Sequence, residues 1–172
     1  MKRRTVIALS SLLALVVAGY LIPEATVIPV GGAAASDWNP KSFWFEPWGK
    51  SGVHKGIDIF ARQGRPVVAT TGGIVLYQGS LDLGGHVVAV LGPKWRIHYY
   101  AHLAEPSDAP LFVARGERIG SVGTSGNAAG KPPHLHYAVL SVVPLPWRFS
   151  TATQGWKRMF FLDPGAVILG GL

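Results

Sequence analysis

From Ile57 onward the chain alternates short apolar runs with turn-forming residues: "IDIFA", "RPVVAT", "GGIVLYQG", "HVVAVLG", "WRIHYYAHL", "ERIGSVG" and "HLHYAVL". Each run is short and rich in β-branched or aromatic residues. The turns recur every 8–12 residues or so, the rhythm of an antiparallel sandwich or barrel. No helical 3.6-residue period of useful length occurs in this region. The pattern predicts a mainly β protein built on a compact antiparallel sheet or sandwich.

The N-terminus has a different pattern. "MKRRTVIALSSLLALVVAGYLIP" places three basic residues ahead of an unbroken apolar run, Thr5 to Ile22, stopped by Pro23. This is a membrane-targeting segment. Its 18 residues exceed the usual core of a signal peptide and reach the lower limit of a membrane span, which favours a retained anchor over a cleaved leader for residues 1–22. The Ala33-Ala34-Ala35 run is the competing cleavage signal, but it stands well past the apolar stretch. The Lys-Arg-Arg start orients the N-terminus inward, so the remainder faces outward, as an anchored or released envelope protein. Pro23 to Ser36 is small, Gly- and Pro-containing and aperiodic, and is expected to be a linker over residues 23–36. The folded domain is expected over 37–172.

Composition narrows the picture. A chain of 172 residues suits one domain. The absence of cysteine removes disulfides and thiolate metal sites from consideration. The formal net charge is +7, and setting aside residues 1–35 removes three positive charges and one negative, leaving +5. Such a surface favours anionic partners: cell-wall peptides and polymers, or lipid headgroups. Outward orientation argues against nucleic acid. The aromatic segment "DWNPKSFWFEPWGKSG" is expected to cap one end of the core, with a cleft wall or a membrane belt as alternatives. Trp156, Phe160, Phe161 and Leu162 near the C-terminus are expected to pack on the core.

The candidate chemistry lies in histidines. In "PPHLHYAVL", strand alternation points His134 and His136 the same way, about 7 Å apart, close enough to share a site. "VHKGID" supplies His54 and Asp58 around Gly56, and "YYAHL" adds His102. Alternation along "WRIHYYAH" groups Arg96, His98, Tyr100 and His102 on one face, which makes Tyr100 and His98 candidate groove residues. Each motif alone has a bland reading as an ordinary hydrogen-bonded histidine. Together they offer five candidates: His54, Asp58, His102, His134 and His136. A catalytic zinc takes three protein ligands and keeps an open position, whereas a structural zinc is closed by four. Two imidazoles in surplus suit a hydrolase, which needs a proton acceptor and a donor for an oxyanion.

These motifs resemble those of the LytM or lysostaphin-type zinc metallopeptidases, which cut the peptide part of bacterial peptidoglycan. H-x-x-x-D with an internal Gly, Y-A-H-L, and H-L-H after a Gly-rich loop occur in that order, and the similarity covers nearly the whole outer domain. The resemblance implies the family's compact antiparallel β fold, with the site in a groove between loops. It also implies zinc (Zn2+) ligands at His54, Asp58 and His136, and catalytic imidazoles at His102 and His134. The expected activity is endopeptidase cleavage of amide bonds in peptidoglycan stem peptides or cross-links, a meso-diaminopimelate cross-link being favoured over pentaglycine. The alternatives are a non-hydrolytic wall-binding or amidase-activating module and an endopeptidase acting on a non-wall peptide. Two departures from the family pattern stand out. Ala138 follows Tyr137 where Glu is frequent, and Arg96 and His98 replace small or polar residues, a change expected to bear on specificity.

Overall fold

The structure, a computed structural model, describes residues 3–170. Helix α1, Arg3–Leu21, is apolar on nearly all sides and almost entirely exposed. At 1.5 Å per residue it is about 28 Å long. Among the described residues it is the one helix long and apolar enough to cross a membrane.

The remainder is β-rich, as the run-and-turn pattern predicts. Nine strands follow in sequence: β1 (Ile57–Phe60), β2 (Pro66–Val68), β3 (Gly73–Leu81), β4 (Gly85–Gly92), β5 (Arg96–Leu103), β6 (Phe112–Val113), β7 (Arg118–Ser121), β8 (His134–Ser141) and β9 (Phe161–Leu162). A short helix α2, Pro164–Ile168, is capped by Asp163, whose side chain accepts from the Gly165 and Ala166 amides. The main sheet is antiparallel in the order β1-β8-β5-β4-β3-β6, with β9 also paired to β8, while β2 and β7 form a separate ribbon.

Alternation along β1 and β8 separates two faces. Ile57, Ile59, Leu135, Tyr137 and Val139 are wholly buried and join Val67, Val88, Val90, Tyr100 and Leu103 in the core. Asp58, His134, His136 and Ala138 lie on the opposite face. Of the C-terminal aromatics and aliphatics, Leu162 reaches the core, but Trp156 is exposed because it sits on a 3-10 turn that turns it outward.

The segment expected to be a linker is part of the folded unit. Val30 pairs with Val67, Val68 N donates to Pro29 O at 2.9 Å and Gly31 N to Pro66 O at 2.9 Å, so residues 29–31 cover the edge of β2. Val27 N donates to Thr70 O, and Thr26 Oγ1 to Ile168 O. Val30 is buried in the core. The paired stretch is too short to leave a period in the sequence, which is why it reads as spacer.

Glu24 fixes the start of this strap. Its carboxylate accepts from Arg96 Nη1 and lies 3.1 Å from His98 Nε2, and its side chain is 3% exposed. His98 Nδ1 is in turn 2.7 Å from the Tyr137 hydroxyl. Burial would raise the Glu24 pKa, but the His98 hydrogen bond and the Arg96 charge outweigh it and hold the carboxyl below its ordinary range. A carboxyl depressed on folding stabilises at pH values above its unfolded pKa, and this contribution is lost on acidification through its folded pKa. Glu24→Ala would leave Arg96 buried without its counterion. It should lower stability by about 3–5 kcal/mol at neutral pH, read by urea denaturation of the full chain in detergent. The difference from the unsubstituted chain should shrink as the pH falls below about 4.

Candidate metal centre

The tight entry to β1 brings His54 beside Asp58, and the β1–β8 ladder pairs Asp58 directly with His136. His54 Nε2 lies 3.1 Å from Asp58 Oδ1 and 3.2 Å from His136 Nδ1, and His136 Nδ1 lies 2.8 Å from the same carboxylate oxygen. The three ligand atoms fall within 4.8 Å of one another. Gly56 makes this possible. A Cβ there would sit 2.5 Å from Tyr137 O and 2.8 Å from the His136 ring.

The donor set fits a divalent cation. The Ser42 carbonyl lies 2.9 Å from His54 Nδ1 and takes the proton there, leaving the Nε2 lone pair directed at Asp58 and His136. Two imidazoles and a carboxylate thus converge their acceptor atoms on one point, where a cation relieves the crowding. Burial alone would raise the Asp58 carboxyl, yet the hydrogen bonds to His136 and then to His54 hold it far below the usual carboxylate range. Burial lowers the His136 pKa, partly opposed by Asp58. Both groups therefore favour the deprotonated forms that ligate metals.

The other two histidines flank this triad. His134, two residues before His136 on the same face, has its Nε2 3.9 Å from Asp58 Oδ1. His102 closes the third side, with its ring centroid 5.1 Å from that of His134 and 5.9 Å from that of His136. Each is oriented by a backbone acceptor at Nδ1: Ser125 O for His102 at 2.9 Å and Pro132 O for His134 at 2.8 Å. That arrangement leaves both Nε2 atoms free for chemistry. Burial, followed by repulsion from His136 and His134, pushes the His102 pKa down to about 4.

His102 reaches the site by breaking alternation. Its φ of 65° is left-handed, so it turns to the face of Tyr99 and Ala101, away from Tyr100. The expectation that His98 and Tyr100 line the groove is therefore corrected. Both are wholly buried on the core side, Tyr100 accepting from Thr70 N at 2.8 Å and His98 bound to Glu24 and Tyr137. Regular alternation fails here because the strand kinks at His102.

All five residues open into a groove of about 700 Å³. Tyr99 and Trp48 form part of its walls, and Lys50, Lys55 and Lys131 add positive charge. Trp48 stacks on His54 at a centroid distance of 4.0 Å. The aromatic segment is thus divided: Trp38 and Trp44 are buried, as a cap would be, and Trp48 is a cleft wall. Neither Trp48 nor Tyr99 stands out individually from the sequence. Trp48 belongs to a general aromatic cluster, and Tyr99 falls on the face that regular alternation turns away from His102.

Comparison with known proteins agrees with this geometry. Residues 52–143 match the model of peptidase family M23, a span containing all five residues. The chain is 39% identical over 114 residues to an L-Ala--D-Glu endopeptidase of Bacillus subtilis, covering 60% of this chain and 35% of that protein. It is 40% identical over 85 residues to the DD-carboxypeptidase/endopeptidase Mpg of Neisseria meningitidis serogroup B, covering 49% and 19%. The chain therefore spans about a third of the first relative's length and a fifth of the second's. The catalytic domain of lysostaphin from Staphylococcus simulans superposes with a TM-score of 0.61 at 23% identity, over 78% of this chain and 95% of that domain, which establishes a lysostaphin-like fold. The fold and the family resemblance carried by the H-x-x-x-D, Y-A-H-L and H-L-H motifs are both borne out: the chain belongs to peptidase family M23.

Proposed function

We propose that the protein is a zinc-dependent endopeptidase that hydrolyses amide bonds in peptidoglycan stem peptides or cross-links. The carrying observation is the convergence of His54, Asp58, His136, His102 and His134 on one groove. The names of the relatives, which include a peptidoglycan DD-endopeptidase of Vibrio cholerae, support the substrate class. His54, Asp58 and His136 would hold the ion, through two nitrogens and one oxygen. When bound, zinc supplies Lewis acidity for the scissile carbonyl and makes water a stronger acid.

The chain's own residues do the rest. One of His102 and His134 accepts the proton of the attacking water at Nε2 and delivers it to the leaving amine. The other, when protonated at both ring nitrogens, donates from Nε2 to the oxygen that gains negative charge. The carbonyls of Ser125 and Pro132 hold both rings in place while this happens. Lys50, Lys55 and Lys131 favour a substrate rich in carboxylates, as stem peptides are.

The protein acts on the outer side of the membrane, held there by α1. Retention of α1 is favoured over removal of residues 1–35. Cleavage at Ala33–Ala35 would detach Glu24 from Arg96 and Val30 from the core.

Three outcomes test the proposal on the purified full chain, by zinc content and by release of cleaved muropeptides. His102→Ala and His134→Ala should retain one zinc per chain yet lose about 10²–10⁴-fold in turnover. His136→Ala should lose both the zinc and the activity. Gly56→Ala should weaken zinc retention by displacing His136, with the helical signal of α1 unaltered. Full turnover by His102→Ala would contradict the assignment.

A further inference from the structure

We propose that the end of the domain formed by Trp95, Val142, Trp147 and Phe149 rests on the outer surface of the bilayer, holding the candidate metal centre away from the lipid. The inference rests on the reading of α1 as a retained membrane anchor.

Three observations carry it. The first is direct contact between helix and domain. Trp95 Nε1 donates to Val16 O, inside α1, at 3.0 Å, and a Cβ on Gly19 would overlap the same indole ring. Only a glycine permits this approach, and it sets Trp95 beside the last turns of the helix, near Tyr20. Paired Trp and Tyr at the end of an apolar helix form an aromatic belt at the level of the headgroups.

The second is the lack of slack. Two residues, Ile22 and Pro23, separate the end of α1 from Glu24, which is locked to Arg96 and His98. A tether this short gives the domain little freedom to swing clear of the membrane that holds α1. The bilayer is thus the surface continuous with the helix–Trp95 contact.

The third is the character of that end. Val142 N donates to Trp95 O, and the chain leaving β8 continues through Trp147 and Phe149, which are 78% and 58% exposed. Lys94 and Arg148 stand within the same two segments. Exposed aromatics beside basic residues suit an interface with anionic headgroups. Strand β5 runs from this end to His102, so at about 3.3 Å per residue the metal centre lies roughly 20 Å along the strand from Arg96. That places the chemistry outward, where a wall polymer would be.

The chain has no cysteine, so single reporter thiols can be placed at will. Phe149→Cys, on the exposed segment after β8, and Glu105→Cys, just beyond the His102 end of β5, would each carry a bimane label. The labelled full chain is reconstituted in phosphatidylethanolamine and phosphatidylglycerol vesicles, with and without headgroup-spin-labelled lipid. The label at 149 should lose most of its fluorescence to the quencher, and the label at 105 should keep it. Gly19→Leu, which forces the Trp95 indole off α1 but leaves the short tether intact, should reduce the quenching at 149 in part while the chain stays resistant to carbonate extraction. Equal brightness of both labels in a carbonate-resistant, full-length chain would overturn the docking and leave the anchor standing. Release of the chain by carbonate would overturn the anchor and the docking together. Efficient disulfide dimerisation through Phe149→Cys would place a second copy on this face and overturn the lipid assignment.

Discussion

Asp58 stands opposite His136 in the antiparallel ladder between β1 and β8, and most of the site depends on that register. The same pairing sets Ile57 against Tyr137 and Ile59 against Leu135, all wholly buried. A slip of one residue would turn the acceptors into the core and the apolar side chains into the groove. Core burial therefore enforces the geometry of the site, because the register that buries these large apolar and aromatic groups is the one that gathers the candidate ligands. Gly56 protects the register, since any side chain there meets the Tyr137 carbonyl and the His136 ring.

A second polar network lies behind the sheet and connects the site to the N-terminal strap. Glu24, His98 and Tyr137 form a hydrogen-bonded chain that ends one residue from His136. Buried charge is costly unless paired. Arg96 and Glu24 satisfy each other, and the strap is thereby fixed to β5. Arg96 and His98, the departures from the family pattern, are accounted for by this pairing and do not line the groove. In the structure both residues attach the strap to β5.

Much of this could be read in the sequence. The β class follows from run lengths and turn spacing, and the five histidine and aspartate candidates follow from motif content. Their convergence is long-range, because Asp58 and His136 are 78 residues apart and only the fold brings them together. Two errors have physical causes. Alternation assigns His98 and Tyr100 to the groove because a left-handed residue at His102 leaves no mark in a period-two pattern. The strap reads as a linker because its hold comes from single contacts, one carboxylate and one buried valine, without any repeat. Trp48 shows a third limit: composition signals a buried aromatic, but not the imidazole on which it stacks.

The chemistry proposed for the groove requires that His54, Asp58 and His136 hold the ion while His102 and His134 remain free. Anomalous diffraction at the zinc edge from crystals of the zinc-loaded protein tests this division most directly. The expected result is one zinc about 2.0–2.2 Å from His54 Nε2, His136 Nδ1 and an Asp58 oxygen, with both remaining imidazoles outside bonding distance. A zinc ligated by His102 or His134 in place of any of these three would contradict it.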